Sequence, residues 1–331
     1  MKKGAMFLAA MLAASAVGFF GCQEEQEEWQ VYMPDGAPAL ALAVPLYEDK
    51  QNDGWEYHVV SATNIHTYVT GNAPEAELCV MPVNLAAKLL GTGSTYRLAG
   101  VVTHGNFYFL SKENVQYTRE NAAELIGKTV GVVQLNNVPG LTLKAALAAL
   151  EIPYNDLTGG AAVSDNAVNL KAVSPSGLVG ADVYMAPSPE ADANSKNKGL
   201  QFVGSLQQLY SGDETKGYPQ AVIVVKDELL KKDEARVREL LGRIDAGAAW
   251  IKTTDASTVV SAVRAHLADG LTAKFNEVNL TSEAIVRSGI WMQYIGAETV
   301  AEVSGFLQKL VAVDASMAAV PAEGFYWKNA D

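Results

Sequence analysis

Apolar positions along the chain recur in two alternating rhythms. Short β-type runs stand at Gln30–Met33, Tyr57–Val60 and Leu78–Met81, and a longer one spans Leu98–Leu110, interrupted by Thr103-His104-Gly105-Asn106. Further strand-like runs follow at Thr129–Gln134, Asp182–Met185, Gln201–Val203 and Gln220–Lys226. Between them the spacing becomes helical. Ala37–Leu46 is apolar with Pro38 suited to a first turn. Asn84 is placed to cap a helix carrying Leu85 and Leu89, and Asn121-Ala122-Ala123-Glu124 reads as a capping box closed by Gly127. Leu143, Leu147 and Leu150 share a face ahead of Ile152-Pro153. Beyond Lys226 the pattern is helical. One stripe carries Val237, Leu240, Leu241, Ile244, Ala248 and Ile251, a second Val259, Val263 and Leu267, and a third Val300, Val303, Leu307 and Leu310. Strands alternating with helices predict an α/β fold with mostly parallel sheets.

The first residues follow a different rule. Lys2 and Lys3 precede an uncharged stretch from Ala5 to Phe20, the size of a signal-peptide core and short for a membrane-spanning helix. Gly21-Cys22 and the acidic run Gln23–Glu28 come next. Phe19-Phe20-Gly21-Cys22 resembles a bacterial lipobox, with Phe19 where leucine is usual. The resemblance implies a lipoprotein signal peptide over residues 1–21, acylation of Cys22 and a solvated acidic tether over 22–28. A plain signal peptide, with Cys22 incidental, is the alternative.

Composition narrows the chemistry. The 331 residues are 49% hydrophobic and 19% charged, enough apolar material for a buried core. The net charge is −12, and without residues 1–21 it becomes −14, with 23 basic against 37 acidic residues. An acidic chain is a poor partner for nucleic acid. Two cysteines exclude a disulfide framework and a cysteine-built zinc site, and Cys79, within Leu78–Met81, reads as an inert core residue. The four histidines, His58, His66, His104 and His266, show no metal-ligand spacing. Nucleophile-elbow, zinc-protease and phosphate-loop motifs are absent from the sequence.

What remains is a set of strand-to-helix turns: Pro34–Pro38, Met81–Asn84, Gln134–Pro139 and Ala186–Glu190. Ligands of α/β proteins bind beyond the carboxyl ends of strands, where free N–H groups at helix starts favour an anion or a polar acceptor. Ordinary turn chemistry would use the same residues. His104, beside Thr103 and Asn106, reads as a structural or ligand-orienting histidine. Tyr32, Phe107, Tyr108 and Trp291 read as core aromatics, and Tyr218 stands out because Gly217-Tyr218-Pro219 precedes a strand.

Taken in order, Pro34–Ala43, Met81–Leu89, Gly127–Gly131, Tyr218–Val225 and Ala284–Ile290 resemble the extracytoplasmic solute-binding proteins of ABC importers. The similar branch is the one related to nitrate, sulfonate, taurine and thiamine-pyrimidine binding proteins. Two departures are Asn136-Asn137, where relatives have a glycine-rich turn, and Pro189-Glu190, which reverses their Glu-Pro pair. The resemblance implies a type II periplasmic-binding-protein fold with two lobes joined by crossing strands. Lobe 1 would comprise residues 29–111 and 220–331, with the C-terminal helices, and lobe 2 residues 112–219. Asp35, Gly36, Ala37, Asn84, Thr103, His104, Gln134, Asn136, Ser188 and Tyr218 are the expected ligand contacts. The implied protein is an exported monomer held at the extracytoplasmic face by lipid on Cys22. It would pass a small polar or heteroaromatic solute to permease subunits, without cofactor, metal or catalytic residue. An enzyme on the same fold, of the menaquinone-pathway or pyrimidine-synthase kind, is the competing expectation.

Overall fold

A computed structural model describes residues 28–49, 54–93, 95–175 and 180–328. The expected signal peptide, Cys22 and all of the expected tether but the exposed Glu28 lie outside these residues. The first half runs β1 (Trp29–Pro34), α1 (Ala37–Ala41), α2 (Ala43–Tyr47), β2 (Trp55–Val60), β3 (Leu78–Pro82), α3 (Val83–Leu90), β4 (Tyr96–His104) and β5 (Phe107–Ser111). The middle contains β6 (Thr129–Val133), α4 (Val138–Ala149), β7 (Tyr154–Asp156), β8 (Val168–Val173), β9 (Val183–Pro187), α5 (Glu190–Lys198), β10 (Gln201–Ser205) and α6 (Leu206–Ser211). The chain ends with β11 (Pro219–Lys226), α7 (Asp227–Lys232), α8 (Glu234–Thr253), α9 (Ala256–Arg264), α10 (Ser282–Arg287), β12 (Ile290–Tyr294) and α11 (Ala297–Val313).

Two six-stranded sheets result, in the orders β12-β4-β11-β3-β1-β2 and β10-β5-β9-β6-β8-β7. Both are mixed. Five of the ten pairings are parallel. Every antiparallel pairing involves β4, β5 or β11, the strands that enter or leave a lobe crossing. The run Gln220–Lys226 belongs to β11, which sits inside the first sheet between β3 and β4 and is apolar on both faces, as a doubly covered strand must be. One face of the first sheet packs on α1, α2, α8 and α9 through Leu40, Leu42, Leu241 and Val263. The other packs on α3 and α11 through Ala86, Leu90, Phe306 and Leu310.

The lobe boundary differs from the expected one. β5 hydrogen-bonds to β9 and β10 in the second sheet, so the crossing falls between His104 and Phe107 rather than after residue 111. The chain returns at Gly217-Tyr218-Pro219, and Gly105 N donates to Tyr218 O at 2.9 Å, so the outgoing and returning crossings are bonded together. Gly105 has φ +36, and a Cβ there would come within 2.8 Å of Gln207 Cγ and 2.9 Å of Tyr218 Cε1. Only glycine fits where the two chains pass.

Local departures have local causes. The apolar stretch 37–46 breaks at Leu42 into two short helices, because Pro45 has no N–H to give to Ala41. Asn121 does not cap a helix. Its Oδ1 accepts from Thr118 N at 2.7 Å and its Nδ2 donates to Gln116 O, so it ties the preceding turn, and only a 3-10 turn follows over Ala122–Leu125. Asn84 lies one residue inside α3 rather than at its cap, and its Nδ2 donates to Met317 O at 2.9 Å. Cys79 is fully buried in β3, and burial pushes its thiol up.

Candidate functional site

The ends of β1, β3, β6 and β9 converge on a narrow cleft between the lobes with about 70 Å³ of accessible space. The first lobe supplies Pro34–Pro38, Ala62, Pro82, Thr103, Gln220, Ala221 and Lys274. The second supplies Phe107, Gln134, Asn137–Pro139 and Pro187–Glu190, with Asn106 at the crossing.

Six of the ten expected contacts line this cleft: Asp35, Gly36, Ala37, Thr103, Gln134 and Ser188. Several have their polar atoms committed elsewhere. Asp35 is 3% exposed. Its Oδ1 accepts from Gly36 N and its Oδ2 from Lys274 N, each at 2.7 Å. Burial raises its pKa, opposed by these donors and the Lys274 charge. Asp35 is thus a pin that holds the 274 loop over the cleft. Thr103 Oγ1 accepts from Ala221 N at 3.1 Å, at an irregularity between β4 and β11. Ser188 Oγ bonds to Asp192 Oδ2. Gln134 is exposed and held at φ +60, a conformation a non-glycine residue seldom adopts.

The other four stand apart. Asn84 is buried within α3. Asn136 borders a neighbouring groove with His66 and Leu89, and Asn137 takes the place in the cleft. His104 is 2% exposed and stacks on Trp291 with ring centroids 3.8 Å apart, its Nε2 2.9 Å from Gln293 Oε1. Burial lowers its pKa to about 4, against the opposing effect of Gln293. Trp291, expected in the core, is one-third exposed. Tyr218 is buried against Phe306 (5.5 Å, stacked) and Tyr210 (5.8 Å, edge-on), and burial raises its hydroxyl pKa. Both residues support the crossing from behind.

Asn106, Gln220 and Lys274 are lining residues that the sequence did not single out as ligands, and Glu190 closes the turn Ala186–Glu190. The pair Lys274 Nζ–Glu190 Oε1, at 3.1 Å, spans the cleft from one lobe to the other. Two more bonds join the same elements. Arg287 of α10 pairs with Asp192 of α5, with Nε at 2.9 Å from Oδ1, and Lys196 Nζ donates to Val278 O at 3.1 Å. Arg287 also lies over the Phe202 ring, 4.4 Å from its centroid. Lys274, Val278 and Arg287 are more than 75 residues beyond their partners in the chain, so no local pattern connects them.

The arrangement can hold a small molecule from both sides and couple its retention to lobe closure. Among the described residues no cluster of three or more metal-ligating side chains exists.

Neither a family model nor a curated protein matches the chain. Solved structures do. An ABC transporter structure from Parabacteroides distasonis superposes with a TM-score of 0.69 at 17% identity, covering 92% of this chain and 99% of that one. The periplasmic aliphatic sulphonate binding protein of Escherichia coli gives 0.61 at 14% identity, covering 92% and 95%. A desulfurization enzyme, DSZB, solved as a mutant with biphenyl-2-sulfinic acid, gives 0.55 at 16% identity, covering 92% and 97%. The fold is therefore the two-lobed type II fold of periplasmic binding proteins, which transport proteins and an enzyme share.

Proposed function

We propose that this protein is the substrate-binding component of an ABC import system. It captures a small polar or heteroaromatic solute between its lobes and delivers it to the permease. The observation that carries this reading is the cleft itself. Both lobes line it, paired crossings join them, and charged groups meet across it. Such a cleft closes on a ligand that bonds to both sides, and closure is the signal a permease can read. The named importer components among its structural neighbours add support. Asp35, Gly36, Ala37, Thr103, Gln134 and Ser188 form the site together with Asn106, Asn137, Glu190, Gln220 and Lys274. A thermal-shift screen across sulfonates, nitrate, pyrimidines, flavins, amines and amino acids tests it. At least one class should raise the melting temperature, and a flat response across all of them would defeat the reading.

The same reading places the protein outside the cytoplasm as a monomer, anchored by lipid on Cys22 and lifted from the bilayer by residues 22–28. One acyl chain holds a protein only marginally, whereas the diacylglyceryl group implied by the lipobox resemblance holds it stably. Cys22→Ser should release the exported protein from membranes or leave it uncleaved. Normal processing with full membrane retention would exclude the anchor. An enzyme on the same fold is the second reading, favoured by the likeness to the desulfurization enzyme. His104 lies outside the cleft lining, so a catalyst here would draw on lining residues such as Glu190, Lys274 or Ser188. Chemical conversion of a bound probe would favour it.

A further inference from the structure

The polar atoms of the cleft divide unequally between donors and acceptors. Three backbone N–H groups of the turns are already engaged. Gly36 N goes to Asp35 Oδ1, Val138 N to Asn137 Oδ1 and Ser188 N to Asn106 O. Pro38, Pro139 and Pro189, which follow in the same turns, have none to give. Three acceptors, by contrast, are buried without a partner: Asn106 Oδ1, Glu190 Oε2 and Gln220 Oε1. All three residues line the cleft. The orientation of Asn106 is set by its Nδ2, which donates to Ser188 O at 3.1 Å, so its oxygen is the free end. Asn106 is 3% and Glu190 8% exposed. Lys274 satisfies one carboxylate oxygen of Glu190 and leaves the other open. The charged lining residues are Asp35, Glu190 and Lys274, a net charge of −1.

We propose that the cleft selects a hydrogen-bond-donating cation, an amidinium or ammonium group on a compact apolar or heteroaromatic body, over an oxyanion such as nitrate or a sulfonate. The proposal rests on the reading of the cleft as a solute site and adds the class of solute. A buried acceptor without a partner is costly, and a ligand that brings N–H groups removes the cost at Glu190 and Asn106 together. An amidinium matches the open carboxylate oxygen with a charge-assisted bond. An oxyanion would place its own acceptors against these open acceptors, beside turn N–H groups of which Gly36 N, Val138 N and Ser188 N are already engaged. The apolar walls, which include Pro34, Pro82, Pro187 and Phe107, suit a flat body.

Benzamidine and benzenesulfonate carry opposite head groups on the same ring and serve as probes. Titration of the purified protein with each, at about 0.15 M salt to screen its acidic surface, measures the preference directly. Benzamidine should bind at least about tenfold more tightly. Glu190→Gln should weaken benzamidine by about tenfold and Asn106→Ala by less, as expected for a charged and a neutral hydrogen bond. Tighter binding of benzenesulfonate, or benzamidine binding unaltered in both variants, would overturn the proposal while leaving solute capture intact. Failure of both probes and of every class in the broad screen would overturn solute capture as well. The wild-type preference stands even if a variant folds poorly.

Discussion

Where α11 of the first lobe meets α4 and α6 of the second, the contact is built mainly on packed aromatic rings, with Lys309 Nζ donating to Tyr210 OH at its exposed edge. Phe306 stacks on Tyr218 and meets Tyr210 edge-on at 5.8 Å, close behind the paired crossings. Where α5 meets residues 274–287, the contact is charged: Lys274 with Glu190, Arg287 with Asp192, Lys196 with the Val278 carbonyl. Packed rings hold their mutual geometry and respond little to salt, so the first contact suits a pivot that persists in every state. Glu190 and Asp192 are nearly inaccessible and need partners while the lobes are together, yet water can replace those partners once they separate. The second contact therefore suits a latch. The difference separates what keeps the lobes joined from what decides whether they are shut.

The largest effect should come from the latch. Arg287→Ala leaves Asp192 buried without its cation, a loss of about 3 kcal/mol for a pair of this burial. The protein should respond by opening, seen as a larger radius of gyration in solution scattering and weaker retention of any cleft ligand. An unchanged radius and affinity would mean that the pair does not control closure. Behind the pivot, His104 should set an acid limit. Its folded pKa of about 4 lies below the ordinary 6.5, so the unfolded chain holds the proton more tightly. Its contribution is complete above pH 6.5 and is lost as pH falls towards 4, by up to about 3 kcal/mol. Urea melts of wild type and His104→Gln should diverge in slope across that window. Parallel pH profiles would show that His104 already titrates normally.

A smaller loss is expected at the crossing itself. Gly105→Ala should lower global stability by about 2 kcal/mol, since the added Cβ meets Gln207 and Tyr218 at a positive φ. Chemical denaturation reads this directly, and a neutral result would mean that the crossings slide apart easily. The smallest effect belongs to Lys196→Ala. Its bond to Val278 O is exposed, so stability and scattering should shift by less than about 0.5 kcal/mol equivalent. A change as large as that of Arg287→Ala would erase the distinction between buried and exposed members of the latch.

Much of the fold was legible because it depends on short-range periodicity. Gln220–Lys226 and Leu78–Met81 read as buried strands from their continuous apolar runs, and α8 and α11 from stripes at 3.6-residue spacing. β7, β8 and β12 escaped notice. Tyr154–Asp156 is three residues of half-buried polar chain, and Ile290–Tyr294 has only one buried position. Both owe their pairing to a neighbouring strand rather than to their own pattern. The site was legible in outline. Turns after β1, β6 and β9 did converge, since strand ends in one layer must. The neighbours Asn136 and Asn137 could not be told apart, because only the fold decides that Asn137 reaches the cleft while both border the neighbouring groove.

By itself the sequence determined most of the strands and helices, that the chain is α/β, and which turns stand at strand ends. Each follows from residues within a few positions of one another, where propensity and periodicity act. Only the tertiary structure decided which polar atoms are spent and which are free. Asp35 looked like a ligand and is a pin, because Lys274 N, 239 residues later, takes its second oxygen. Glu190 stood in a turn read as ligand-facing, but only the structure shows that one of its carboxylate oxygens is an open acceptor, because Lys274 reaches only the other. Hydrogen-bond satisfaction is a property of three-dimensional neighbours, and in a fold whose lobes are built from distant stretches of chain those neighbours are not adjacent in sequence.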